Sequence, residues 1–241
     1  MIPPLVAELL DCKEVGLVIV TLNVPETLAL PDDARVLLIQ NESPKGFGAN
    51  HNAAFRHIEN DPRLHFFCPI NPDVHLSGNP FPTLLATMDS LGAGLGVPLV
   101  LSGKGQMEDS LRRFPTPWML LSKAVGGPDG RYHAQPGQAA FFPEWAAGMF
   151  MLFKNDTFAR LKGFDEAFFL YYEDVDICVR AWKQKIRIVA CPKVSIIHEA
   201  QRDSRRKFRY LYWHITSMMR FFYKHGGRLP NIPSADLRGK S

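Results

Sequence analysis

Cysteine is scarce in this chain, and the four present (Cys12, Cys68, Cys178 and Cys191) are scattered without CxxC spacing. That spacing excludes a zinc module and a disulfide framework, and the apolar context of each thiol suits a buried, reduced side chain. Long apolar runs are missing as well. None reaches the roughly 18 residues that a membrane-crossing helix needs. The opening "MIPPLVAELLDCKE" lacks the basic start and small-residue cleavage site of a signal peptide. There is no dense basic footprint: 28 Lys and Arg against 24 Asp and Glu leave a net charge of +4. Such a balance does not point to nucleic acid, though it permits an anionic ligand or a membrane surface. Repeats and low-complexity tracts are absent too. The expectation is one domain over all 241 residues, with an inserted loop, located in the cytoplasm.

What is present alternates. Pro3 and Pro4 can open a short helix carrying Leu5, Leu9 and Leu10. "VGLVIVTL" (15–22), "ARVLLIQN" (34–41) and "LHFFCPI" (64–70) are short continuous apolar runs, the pattern of strands buried on both faces. Between the last two, 46–58 reads as a turn and helix. A helix around 81–91 and a strand near 95–101 follow. This rhythm predicts an α/β fold with an open, mostly parallel sheet flanked by helices, whose ligands bind beyond the carboxyl ends of the strands. "GGPDGRYHAQPGQ" (126–138) reads as a loop. "WAAGMFMLFK" (145–154) returns to strand, and Asn155 or Asp156 can cap a helix after it.

The stretch "FFLYYEDVDICVRAW" (168–182) sets aromatic residues directly before three carboxylates. Val175, Cys178, Val179, Trp182 and Ile186 share one helical face; Glu173, Asp176 and Arg180 take the opposite face and Asp174 its flank. Acids in a first helical turn are favoured by the dipole and by capping alone. The aromatic surround suggests more: desolvation raises a carboxylate's pKa, as a general base working near neutral pH requires.

Other signals are individually weak. "INPDVHLSG" (70–78) puts Asn71, Asp73 and His75 at a strand end, where one carboxylate can hold a divalent ion through oxygen; an Asn-Pro-Asp turn is the plainer reading. "KGFGANHN" (45–52) has His51 where a dinucleotide fingerprint needs its last glycine, although a glycine turn entering a helix can still receive a phosphate. His198 ends the strand-like "VSIIH". From Arg205 to Lys224 an apolar stripe is interleaved with Lys and Arg, which suits either packing on the domain or lying on an anionic bilayer.

The order of these signals, glycine turn, "NPD", "WAAGMFMLFKNDTFARLKGFDEAFFLYYEDVDICVRA" and a late strand ending in histidine, resembles family-2 glycosyltransferases of the GT-A fold. The likeness is closest to the bacterial rhamnosyltransferase-like branch. It implies a donor half (1–103), an acceptor and catalytic half (104–200), and a basic amphipathic helix and tail (201–241). The implied activity is inverting transfer of a sugar, rhamnose in that branch, from a nucleoside diphosphate to a hydroxyl of a glycan or lipid-linked acceptor during polysaccharide synthesis. It implies Asp174 as base with Glu173 beside it. Asn23, Gly46, Gly48, Asn52, Asn71 and Asp73 would then line the donor site, and Trp145 and Gly148 the acceptor cleft. Asp73 and His198 would meet Mg²⁺ or Mn²⁺. Asp176 and Arg180 would organise the helix, and the 126–138 loop would lie where a lid forms. The pattern of 205–224, where it is read as lying on a bilayer, sets it on the membrane's cytoplasmic face.

Two features depart from the family pattern. The first buried strand has no counterpart here, and "VIVTLN" (18–23) carries Leu22 where the family's "VDN" has an acid. Pro44 also replaces an asparagine common before the glycine turn. The expectation is that Met1 is an internal start of a longer protein; a remnant of the fold is the alternative. A non-catalytic sugar-nucleotide or glycan-binding protein is the competing function. A nucleotidyltransferase would carry a basic glycine-rich loop near its start.

Overall fold

The computed structural model describes residues 1–124, 126–127, 129–199 and 208–232. The chain opens with α1 (Ile2–Leu10), prolines in its first turn, burying Leu5, Val6 and Leu9. β1 (Val18–Leu22) and β2 (Val36–Gln40) pair in parallel as a two-stranded ribbon. α2 (Phe47–Arg56) follows. A five-stranded sheet then holds β3 (Phe66–Phe67), β8 (Leu152–Lys154), β5 (Ala93–Ser102), β9 (Arg187–His198) and β4 (Val74–Leu76), in that spatial order. β6 (Leu111–Arg112) and β7 (Trp145–Ala146) form a small antiparallel pair. The remaining helices are α3 (Phe81–Ser90), α4 (Pro117–Ala124), α5 (Asn155–Arg160), α6 (Glu173–Lys183) and α7 (Phe208–His225).

The α/β class agrees with the sequence, but the sheet is more mixed than the apolar runs imply. Among the described residues only β1–β2 and β5–β9 pair in parallel. Two breaks in the chain account for this. The 145–154 run is not one strand: it turns at 147–151, and its end enters the large sheet antiparallel to both β3 and β5. Only Asn71, Pro72 and Asp73 separate Ile70 from Val74, too little chain for a helical crossover, and β4 lies antiparallel to β9.

No strand among the described residues joins the β1–β2 ribbon to the five-stranded sheet. A cavity of about 350 Å³ lies between them, lined by Leu5 and Leu9 of α1, Val18 and Val20 of β1, Ala54 and Ile58 of α2, and by Phe67 and Cys68. Val18 N–H donates to Arg35 O at 2.7 Å and Asn41 N–H to Leu22 O at 2.9 Å, so those residues of β1 address β2. Because backbone groups alternate along a strand, Ile19 and Thr21 turn theirs toward the cavity. On the far side, Pro69 O and Asn71 N–H are bound to Met151 N–H (3.1 Å) and Met149 O (3.0 Å), which leaves Ile70 facing the same gap.

Candidate active site

A second cavity, of about 370 Å³, opens at the N-terminus of α6 and is lined by Phe47, Asn71, Trp145, Gly148, Glu173, Asp174 and His214, among others. Its floor depends on a strained approach. Tyr171 and Tyr172 both have left-handed backbones, with φ of 70° and 68°. Such a conformation costs a non-glycine residue roughly 1–2 kcal/mol and persists only where packing enforces it. α7 supplies that packing. Tyr172 contacts His214 and Phe221 with ring centroids 5.6 and 5.4 Å apart, and Ser217 Oγ donates to Leu170 O at 2.9 Å. The strained pair turns the chain so that α6 starts with its acids facing the cavity.

Glu173 is buried, and its Oε2 has no hydrogen-bond partner. Burial, followed by the charge of Asp174 beside it, pushes its pKa well above the usual carboxylate range. Burial also raises Asp174, to about 6, against the pull of two backbone donors. Those donors are Val175 N–H to Oδ1 at 2.8 Å and Gly148 N–H to Oδ2 at 3.1 Å. Asp174 therefore takes up a first-turn amide, as the capping reading expects, and also keeps the raised pKa of a candidate base. The two acids are best described as a pair that holds on to a proton.

The face of α6 opposite its apolar stripe is covered as well. Asp176 is fully buried and binds Arg180 (2.7 Å), Lys224 (2.7 Å) and His225 (2.9 Å). Burial alone would raise its pKa; the His225 hydrogen bond and the Arg180 and Lys224 charges outweigh that and hold it at about 2. Arg180 also donates to the carbonyls of Leu161 and Gly163. Asp176 and Arg180 thus tie α6 to α7 and to the 161–163 turn.

Residues expected at the donor site fall into separate places. Asn23 Oδ1 accepts from Asn41 Nδ2 (2.9 Å), Lys45 N–H (3.0 Å) and Asn50 Nδ2 (3.2 Å), an asparagine cluster at the end of β1. Gly46 and Gly48 allow close approach: a Cβ would meet Phe169 O at 2.5 Å or Phe164 Cβ at 2.7 Å. The first amide of α2 is already spent, Phe47 N–H donating to Phe169 O at 3.0 Å. Asn52 is likewise occupied, bracketing Phe164 and Glu166 through three hydrogen bonds of 2.9 Å. His51 is half-buried, its ring 4.4 Å from that of Phe47 between centroids, and desolvation lowers its pKa to about 4. Asn71 lines both cavities, as Phe47 does.

Asp73 and His198, 125 positions apart by number, are brought together at the β4–β9 edge, where Val74 pairs with His198. Asp73 Oδ1 lies 3.3 Å from His198 Nε2. The contact lacks hydrogen-bond geometry, so Asp73 Oδ1 remains buried without a hydrogen-bond partner, and His198 Nδ1, the ring's other nitrogen, is buried without one as well. Orphaned donor atoms of this kind fit a hard divalent cation that completes its shell with phosphate oxygens and water. Among the described residues no group of three or more His, Cys, Asp or Glu side chains could hold a metal by itself. His75 instead turns to Glu8 of α1, at 3.3 Å.

At the expected acceptor side, Trp145 lies in β7, its indole donating to Arg113 O at 2.9 Å, with the Arg112 guanidinium 6.0 Å over its ring. The 126–138 segment is pinned rather than loose where it is described. Arg113 N–H donates to Gly130 O at 2.7 Å, Tyr132 N–H to Leu111 O at 2.9 Å, and Asp129 lines the cavity. Arg112, Arg113 and His214 also reach this cavity. Sequence reasoning missed them; a pair of arginines beside a strand and one histidine within an apolar stripe carry no distinctive signal.

The mixed, helix-flanked sheet is an α/β fold of the GT-A type. No protein-family model matches the sequence. Rhamnosyltransferase WbbL of Escherichia coli (strain K12) is 27% identical over 183 residues, covering 73% of this chain and 69% of that protein. Low-salt glycan biosynthesis hexosyltransferase Agl10 of Haloferax volcanii is 24% identical over 67% of this chain and 51% of its own length. N-acetylglucosaminyl-diphospho-decaprenol L-rhamnosyltransferase of Mycobacterium tuberculosis is 29% identical over 56% of this chain and 47% of its own. The chain thus spans about half of the last two relatives. Among solved structures, GalNAc-T7 with UDP, GalNAc and Mn²⁺ shares the fold, with a TM-score of 0.60 and 11% identity over 78% of this chain and 38% of that one. The chain is thus similar in sequence to rhamnosyl- and hexosyltransferases, and its fold is of the GT-A type.

Proposed function

We propose that this chain transfers a sugar, rhamnose in the first instance, from a nucleoside diphosphate to a hydroxyl of a glycan or lipid-linked acceptor, with inversion. The observation that carries this reading is the Glu173–Asp174 pair, turned into a cavity and raised in pKa by burial. A carboxylate near pKa 6 is ionised at neutral pH yet basic enough to accept a proton as an alcohol attacks.

In this mechanism the acceptor oxygen forms its bond to the anomeric carbon from the face opposite the leaving group. Its proton passes to Asp174, and the bond to the diphosphate breaks with its electrons. Gly148 N–H and Val175 N–H fix the Asp174 carboxylate so that it enters the reaction already oriented. Glu173, held protonated beside it, limits the negative charge gathered at one point. Trp145 offers an aromatic face to the acceptor sugar. Asp73 and His198 would hold Mg²⁺ or Mn²⁺, which supplies charge neutralisation to the departing diphosphate. Asn23 and Asn71 flank the donor.

The experiment is incubation of the purified chain with deoxythymidine-diphosphate-rhamnose and N-acetylglucosaminyl-diphospho-lipid, with and without a chelator. Product formation that stops on chelation is the expected result. The cavity beside β1 and the buried Leu22 favour one other reading, a non-catalytic sugar-nucleotide binder. Saturable donor binding with neither transfer nor donor hydrolysis would select it.

A further inference from the structure

α7 has two unlike faces. Ser217, Phe221 and His225 are buried against the body of the protein. The other side carries Phe208, Leu211, Tyr212, Ile215, Met219 and Tyr223, whose exposure runs from 45% at Ile215 to 92% at Phe208 and Tyr223. Steps of three and four residues stack these side chains into one stripe, and a contiguous apolar patch of this size marks a site of contact. Of the two fates that the stripe allowed, packing on the domain is taken by the other face.

We propose that this stripe docks on an anionic lipid surface. Charge identifies the occupant. Between Asp203 and Asp236 the sequence contains no acid, while Arg205, Arg206, Lys207, Arg209, Arg220, Lys224 and Arg228 are basic. Of these, 205–207 lie outside the described residues. Arg209 and Arg220, three helical turns apart, share one flank of the stripe. Lys224 is engaged by Asp165 and Asp176. Paired in a second copy of this chain, the same face would set like charges against each other. Anionic headgroups suit both the stripe and its flank.

Position gives the surface a use. His214 of α7 and Met119 of α4 line the candidate active site, and α4 exposes Trp118 (77%) and Leu121 (63%) beside it. The cavity thus lies between two helices that carry large apolar side chains outward. If transfer occurs as proposed above, an acceptor anchored in the bilayer reaches Glu173 and Asp174 from the docked side; docking itself does not depend on that reading.

The test is sedimentation of the purified chain with phosphatidylcholine vesicles, with and without phosphatidylglycerol. Binding to the anionic vesicles that weakens with salt is expected. Arg209→Gln and Arg220→Gln should each weaken it about fivefold. A Leu211→Glu/Ile215→Glu/Met219→Glu variant should lose it while keeping its melting temperature and its turnover of a soluble acceptor. Equal, negligible binding to both vesicles overturns the proposal. So does a dimer in solution that Ile215→Glu dissociates, because the stripe would then be a self-interface. Vesicle binding without sugar transfer would leave the surface standing and remove only the enzymatic reading.

Discussion

The backbone N–H of Gly148 donates to Oδ2 of Asp174 at 3.1 Å, joining the turn after β7 to the first residue pair of α6. Two segments 26 residues apart are thereby fixed at one carboxylate. The space beside it is tight: a Cβ at position 148 would lie 3.1 Å from the tip of the Phe47 ring and in ordinary contact, 3.7 Å, with the Asp174 Cβ.

Gly148→Ala should therefore push the Phe47 ring, which lines the same cavity, by a few tenths of an ångström. Small errors of position at a reacting group are costly, so transfer should fall on the order of tenfold to a hundredfold. Steady-state kinetics check this, with circular dichroism confirming that the fold is retained.

The raised Asp174 pKa also predicts a stability effect with a definite sign. The folded state holds the proton up to about pH 6, whereas the unfolded group releases it near 3.8. Between those values the folded form binds more protons, so stability falls as pH rises. Asp174→Asn removes the penalty and should raise stability by about 1–2 kcal/mol at pH 7.5, with no gain below about pH 4. Urea titrations at both pH values measure it. The same ionisation should reduce transfer as pH drops below about 6, because the base is then protonated.

Asp176 behaves oppositely. Its pKa is held at about 2, so its ion pairs stabilise the fold above the unfolded value of 3.8 and are lost as pH falls toward 2. Asp176→Ala strands Arg180 and Lys224 beside a buried site and should cost about 3–5 kcal/mol. Thermal melts at neutral pH check the size, and acid titration of the wild type checks the window.

Unpaired strand edges should be visible in exchange. Ile19 and Thr21 direct their amides into the cavity beside β1, while Val18 is bound to Arg35 O. Hydrogen exchange at Ile19 and Thr21 should be faster than at Val18 and Val20, the order expected where backbone groups lack partners. Equal protection along β1 would mean that the gap is closed in solution.

Much of this architecture was legible because it depends on local pattern. The valine-rich runs place β1 and β2, and the apolar stripe 175–186 places α6. Strand direction was less legible: Pro72 and Gly148 reverse the chain in turns that an apolar run cannot reveal. The acids were found, but not the left-handed Tyr171 and Tyr172 that aim them, since tyrosine gives no hint of positive φ. The place of Asp176 opposite the apolar stripe of α6 is legible, but its partners Lys224 and His225 are not, because they stand on α7, more than 30 residues later. Asn52, expected at the donor, proved to bracket Phe164 and Glu166.

The most direct measurement is sugar transfer by Asp174→Asn, alongside nucleoside-diphosphate binding by calorimetry. A general base contributes on the order of 10²–10⁴ in rate, so transfer should fall by that factor while binding and fold are kept. Wild-type turnover in Asp174→Asn would contradict the account, because no base would then be acting at that carboxylate.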